Sequence, residues 1–186
     1  MNPVDPDIVA KCRADWNAPR RHLALKFEPD GKWADVMARS VKLMGTGTTI
    51  AMVGSRGSGK TQLAVELMRH VTAHGRLALY RTAAEILMML RAAPRRGSEK
   101  SEVDIIADHA DPHLLVIDEF SRRGETDWEN NMLFELINRR YNAMRDTVLI
   151  CNLDVEAFCK MAGDSLVSRI NESGEIVNCN WPTFRQ

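Results

Sequence analysis

The chain has 186 residues, 45% of them apolar, and its 25 basic and 25 acidic side chains leave a formal net charge of zero. That length suits one compact domain with a short extension, and the balanced charge excludes a whole-surface basic field for gripping nucleic acid, so any such contact must come from local patches. No apolar run reaches the roughly 18–20 residues that cross a bilayer, and the acidic, proline-rich start is unlike a signal peptide. The four cysteines, Cys12, Cys151, Cys159 and Cys179, lack metal-ligand spacing and read as reduced thiols. The expected setting is cytoplasmic, without membrane contact.

Pro3, Pro6, Pro19 and Pro29 break up the first thirty residues. Trp33, Val36, Met37 and Val41 then have helical spacing, which predicts a short helix before the core. Residues 49–53 form a β-prone run that stops at Gly54. Leu63, Val65, Leu67, Met68 and Val71 continue as a helix ending near Gly75, and residues 77–80 give the next strand. Thr82 and Glu85 have capping-box spacing and open a helix carrying Ile86, Leu87, Met89 and Leu90. Residues 91–102 are polar, interrupted by Pro94 and Gly97, and read as a loop.

Residues 114–117 are continuously apolar, as in a central parallel strand covered on both faces. Thr126 and Glu129 form a second capping box, followed by a helix whose buried stripe is Leu133, Phe134, Ile137, Tyr141 and Met144. Residues 147–150 make another strand, Asp154 caps a short helix that Gly163 ends, and residues 176–177 suggest a last strand. Alternation of strand and helix predicts an α/β fold: a doubly wound parallel sheet with helices on both faces and its chemistry at the carboxyl ends of the strands. The expected division is a short amino-terminal extension over residues 1–45 and a nucleotide-binding domain over 46–186.

Residues 54–61, Gly54-Ser55-Arg56-Gly57-Ser58-Gly59-Lys60-Thr61, satisfy the full phosphate-loop pattern between a buried strand and a helix. Glycines let successive backbone N–H groups turn inward onto phosphate oxygens, and the following helix adds its positive dipole end. Lys60 supplies a charge for the β- and γ-phosphates and Thr61 a hydroxyl for Mg²⁺. Gln62 is grouped with these nucleotide-binding residues. Asp118 and Glu119 follow the central strand directly; Asp118 is a second candidate magnesium ligand, and Glu119 is placed to polarise a water against the γ-phosphate. Asn152, just beyond the 147–150 strand, either orients that water or serves as a turn asparagine. A GTPase is disfavoured, because Cys151-Asn152-Leu153-Asp154 lacks the lysine of the guanine-reading motif; ATP is the expected nucleotide.

Taken together, the phosphate loop, Leu114-Leu115-Val116-Ile117-Asp118-Glu119-Phe120, the helix ending Leu133-Phe134-Glu135-Leu136-Ile137-Asn138-Arg139-Arg140-Tyr141, and Thr147-Val148-Leu149-Ile150-Cys151-Asn152-Leu153 resemble the DnaC-type helicase loaders of the AAA+ class and their relatives, the IstB-type transposition ATPases. Ser168-Arg169-Ile170 and the ending Asn180-Trp181-Pro182-Thr183-Phe184-Arg185 resemble the same family, so the likeness spans roughly residues 45–186. The resemblance implies an AAA+ ATPase that hydrolyses ATP and acts on single-stranded DNA and a replicative helicase. It implies Asn152 as the sensor-1 residue, Arg169 as an arginine finger reaching a neighbouring subunit of a homo-oligomer, and Arg185 as a sensor-2-like arginine. It also places the DNA contact within about residues 83–110. The chain ends one residue after Arg185, so little or no helical lid is expected.

Arg91, Arg95, Arg96 and Lys100 form a local basic cluster and Arg122 and Arg123 a second; each is either a phosphate-neutralising patch or a solvated loop. Trp128 and Trp181 read as packing residues. A transposition ATPase and a nucleotide-switched binding module stand as alternatives to the loader.

Overall fold

The structure is a computed structural model and describes residues 5–14, 16–25, 31–93, 100–122 and 126–181. In chain order the helices and strands are α1 (Pro6–Ala14), α2 (Arg20–Ala24), α3 (Gly31–Leu43), β1 (Thr49–Val53), α4 (Lys60–Ala73), β2 (Ala78–Thr82), α5 (Ala83–Ala92), α6 (Glu102–Ala110), β3 (Leu114–Asp118), α7 (Asp127–Asn142), β4 (Asp146–Ile150), α8 (Val155–Ala162), α9 (Asp164–Ser173) and β5 (Glu175–Asn178). A 3₁₀ turn, Phe120–Arg122, follows β3.

The five strands form one sheet in the order β2-β3-β4-β1-β5, every pairing parallel. Register sets Thr82 opposite Asp118 and Val53 opposite Asn178, which aligns the carboxyl ends of the strands along one edge. Alternate side chains of each strand feed two cores. One packs Ala51, Leu115, Ile117 and Leu149 against helices α5 to α9. The other packs Ile50, Met52, Val116, Val148 and Val177 against α3 and α4. Burial on both faces explains why β1, β3 and β4 read as unbroken apolar runs rather than alternating ones. Among the described residues no helix is long and apolar enough to cross a membrane.

All five expected strands are present, within one or two residues of the predicted bounds, and both expected capping boxes are formed. Three differences have physical causes. Pro6 and Pro19 stand at helix starts rather than at breaks, while Pro3 and Pro29 lie outside the described residues. Pro6 is the first residue of α1 and Pro19 precedes α2, positions where the missing N–H costs nothing. The segment expected as a loop over 91–102 belongs to α5 at one end and enters α6 at Glu102 at the other, with residues 94–99 outside the described set. Helix α6 itself opens with a box of Ser101 and Asp104, in which a shorter carboxylate does the work of the usual glutamate. Finally, Gly163 (φ 78°) ends α8 and begins α9 at once, so one break signal covers two helices. The expected boundary between residues 45 and 46 falls in the turn between α3 and β1, and Trp16, Trp33 and Val36 from before it are buried in the α3–α4 core.

Candidate functional site: a phosphate loop facing paired carboxylates

Gly54 leaves β1 at φ 130°, and a Cβ there would sit 2.9 Å from the Cys179 carbonyl oxygen, so the loop and the chain after β5 lie too close for any side chain. Gly59, at φ 81°, precedes α4 in the left-handed region, where glycine has no steric penalty. Two indoles brace this loop from outside: Trp181 Nε1 donates to the Ser58 carbonyl at 2.7 Å, and Trp33 Nε1 reaches the Gly59 carbonyl at 3.5 Å.

Lys60, the first residue of α4, is only 4% exposed. Its ammonium donates to the carbonyls of Gly54 (2.8 Å) and Ser55 (2.7 Å) and lies 3.3 Å from Ser58 Oγ. Burial lowers its pKa, against a counter-pull from groups that include Asp118. Thr61 Oγ1 donates to Asp118 Oδ2 at 3.0 Å, bringing both candidate magnesium ligands together. Tyr80 donates to the same oxygen at 2.5 Å. Burial first, then the Asp118 carboxylate, push the phenol well above its ordinary pKa, so it stays a donor.

Glu119 adopts φ 53°, uncommon for a residue with a side chain. The turn is closed by the Arg122 N–H on the Glu119 carbonyl (2.7 Å) and anchored by the fully buried Phe120. Arg122 Nη1 lies 3.3–3.4 Å from both Glu119 carboxylate oxygens. Asn152, beyond β4, is exposed at the same edge.

These groups surround one cavity of about 420 Å³, whose walls include Arg56, Gly57, Gly59, Lys60, Thr61, Gln62, Asp118, Glu119 and Asn152. Such a volume is in the range of small-molecule and cofactor sites. The cavity also has a wall that sequence reasoning missed: Arg21, His22 and Leu25, at and just after α2. Gln62 explains how that helix is held. Its amide nitrogen donates to the His22 carbonyl (3.3 Å) and to Glu66 (2.8 Å), and its oxygen meets His22 Nδ1 at 3.0 Å. Arg69 adds a bond to the Leu23 carbonyl at 2.6 Å. No sequence motif marks such a short helix. Tyr80 was equally silent, reading only as an apolar strand residue.

The other candidates lie apart. Arg169, on α9, is not among the cavity's walls; it bonds Asn138 Oδ1 (3.2 Å) and Ser165 and lies over the rings of Phe134 and Tyr141. Arg91 is paired with Glu129, which also accepts from Thr126, and Lys100 with Asp108. Arg95, Arg96, Arg123 and Arg185 fall outside the described residues. Trp128 packs against the first core and Trp181 against the second. All four cysteines are unpaired, and burial pushes Cys179 up to about 12.

Among the described residues no three His, Cys, Asp or Glu side chains gather to hold a metal ion. The adjacent Thr61 hydroxyl and Asp118 carboxylate nevertheless fit Mg²⁺, which binds through hard oxygens, takes one or two carboxylates from protein and completes its shell from phosphates and water.

A parallel β2-β3-β4-β1-β5 sheet with this loop at one strand end and an acidic pair at the next but one defines a P-loop nucleotide-binding fold of the AAA+ class. The family model described as IstB-like ATP binding protein matches residues 30–185, and the chain belongs to that family. It is 29% identical over 157 residues to the protein YdaV of Escherichia coli K12, covering 83% of this chain and 62% of that one. To the replicative helicase loader DnaC of the same organism it is 28% identical over 133 residues, covering 71% of this chain and 54% of that one. The chain thus spans between half and two thirds of the length of these relatives. Among solved structures it resembles the DnaC helicase loader with a TM-score of 0.70 at 19% identity, over 86% of this chain and 99% of that one. It resembles the replication initiator DnaA bound to AMPPCP and single-stranded DNA with a TM-score of 0.71 at 19% identity, over 90% and 52%. At these identities the structural likeness shows the fold.

Proposed function

We propose that the chain is an Mg²⁺-dependent ATPase of the helicase-loader type, acting on single-stranded DNA and a replicative helicase. The observation that supports this reading is the convergence of the phosphate loop, Asp118, Glu119 and Asn152 on a single cavity. In this reading the loop N–H groups and the α4 amino end bind the phosphates. Lys60 exchanges its carbonyl partners for β- and γ-phosphate oxygens. Magnesium, held through Thr61 and Asp118, would supply charge neutralisation on those oxygens. Glu119 accepts the proton of the attacking water and Asn152 orients that water. Arg169 acts on the γ-phosphate of a neighbouring copy in a cytoplasmic homo-oligomer, and Arg185 contributes from the carboxyl-terminal segment. Arg91, Arg95, Arg96 and Lys100 line the proposed path of DNA.

Steady-state ATP hydrolysis with and without single-stranded DNA, together with a pull-down of the replicative helicase, tests the whole reading. DNA-sensitive turnover and helicase capture are expected. ATP binding without turnover would leave a nucleotide-switched binding module. Capture of a transposase in place of the helicase would make the chain a transposition ATPase, the alternative that the IstB-like family leaves standing. For Arg169, mixing Arg169→Ala with Lys60→Ala protein is expected to restore part of the activity that each lacks alone; no recovery on mixing means the arginine does not act in trans.

A further inference from the structure

Asp118 ends β3 and is 7% exposed. A carboxylate offers about four lone-pair directions, and in Asp118 donors occupy three of them. Glu119 N–H donates to Oδ1 at 2.5 Å, while Thr61 (3.0 Å) and Tyr80 (2.5 Å) both donate to Oδ2. Thr61 belongs to the phosphate-loop motif and the Glu119 N–H is the next peptide along. Tyr80 belongs to no motif and comes from a different strand.

Its reach follows from the register. Tyr80 is opposite Val116 in the parallel β2–β3 pair, and Asp118, two residues beyond Val116, presents its side chain on the same face. The phenol therefore spans the diagonal to the carboxylate. Nor is the ring free to leave. Tyr80 is 5% exposed and packed within the α4 core. Its backbone N–H, on the outer edge of β2, donates to the Trp16 carbonyl at 2.8 Å, so the amino-terminal segment is pinned to the same residue.

We infer that Tyr80 is a positioning residue for the magnesium-binding carboxylate. Its phenol fixes the orientation of Asp118 before the ion arrives and leaves one lone-pair direction of that carboxylate open. A phenylalanine would fill the same volume and pack the same core, so the hydroxyl has a role that packing does not supply. The inference rests on the reading that Asp118 and Thr61 hold magnesium. Partners that orient a metal-binding carboxylate in this way typically contribute 10–100-fold to metal affinity or activity.

The test is the Mg²⁺ dependence of nucleotide binding, read by fluorescence of a labelled ATP analogue on the full chain, with EDTA as the metal-free baseline. In Tyr80→Phe the Mg²⁺ concentration at half-effect is expected to rise about 10–100-fold, while affinity in EDTA stays at the wild-type value. Asp118→Asn is the control for the underlying reading and is expected to lose the Mg²⁺ effect. If Asp118→Asn keeps the wild-type Mg²⁺ dependence, the magnesium site itself is misplaced. If Asp118→Asn loses it and Tyr80→Phe responds to Mg²⁺ as the wild type does, or more tightly, Tyr80 only packs or competes with the ion and the inference is overturned. An equal fall of Tyr80→Phe affinity in EDTA and in Mg²⁺ reports a disturbed fold and overturns it too.

Discussion

At the amino-terminal edge of the sheet Asp146 and Arg140 are buried, and at the carboxyl-terminal edge Asp118 and Lys60 are buried; the two edges treat the same kinds of charge differently. Asp146 accepts the backbone N–H groups of Gly45 (2.5 Å), Gly47 (3.0 Å) and Thr48 (3.1 Å). Arg140, fully buried, donates to Thr147 Oγ1 and to the carbonyls of His109, Ala110, Pro112 and Asp146. Those carbonyls come from the end of α6, the connection after it and the start of β4, so one guanidinium fastens three pieces of chain. Every partner there is a fixed part of the fold. At the other edge Lys60 is held by carbonyls of the phosphate loop itself, and Glu119 and Asn152 stand partly or wholly exposed beside it. A saturated buried charge holds the fold together. A buried charge that rests on exchangeable partners can transfer to a ligand.

Lys60→Ala should separate the two edges most sharply. Binding of a labelled ATP analogue is expected to vanish at concentrations that saturate the wild type. The nucleotide-free melting temperature should stay level or rise, because the substitution removes a charge that burial disfavours. Normal binding by this variant would move the phosphate site elsewhere. Glu119→Gln keeps the shape of the side chain and removes its charge. It is expected to bind ATP and to hydrolyse it about 10²–10⁴-fold more slowly in a phosphate-release assay, with unfolding unchanged.

Arg140→Met is the mirror experiment at the amino-terminal edge. It leaves buried carbonyls without donors and should cost about 3–5 kcal/mol, or roughly 6–20 °C in Tm at 2–4 °C per kcal/mol. ATP affinity of the folded fraction should not change. A drop in affinity without a drop in stability would mean that the two edges are not independent.

The smallest effect expected is on pH. His109 is buried beside Arg140, donates from Nδ1 to the Ile105 carbonyl, and leaves Nε2 buried without a partner. Burial lowers its pKa below the ordinary 6.5. The unfolded chain therefore binds the proton first as pH falls, and stability is lost from about pH 6.5 downward, by at most about 1.4 kcal/mol per pH unit for one proton. His70 and His113 shift in the same direction, burial again being the first cause. Urea midpoints at pH 7.5 and 5.5 should therefore fall on acidification in the wild type and fall less in His109→Gln. An equal pH slope in the two proteins would assign the effect to the other histidines.

Much of this was legible in the sequence because the signals were local. The strand signals over 49–53, 114–117 and 147–150 are largely apolar runs, as expected for strands covered on both faces. The capping boxes at Thr82 and Thr126 need only a hydroxyl and a carboxylate three residues apart. The phosphate loop is eight consecutive residues, and Asp118 with Glu119 directly follows its strand. Family membership, too, follows from the order of such motifs. The strand order, the Tyr80–Asp118 bond, the α2 wall of the cavity and the Arg140 network could not be read in that way. Each depends on contacts between residues far apart in the chain, 28 to 40 positions in the bonds of Tyr80, Gln62 and Arg140 to Asp118, His22, His109 and Pro112, and a side chain that meets its partner only across the sheet or between layers leaves no spacing in the sequence to find. Local chemistry chose the elements and the loop; packing of strands in register decided which distant side chains share the loop's edge, because only there do their separate chain directions converge.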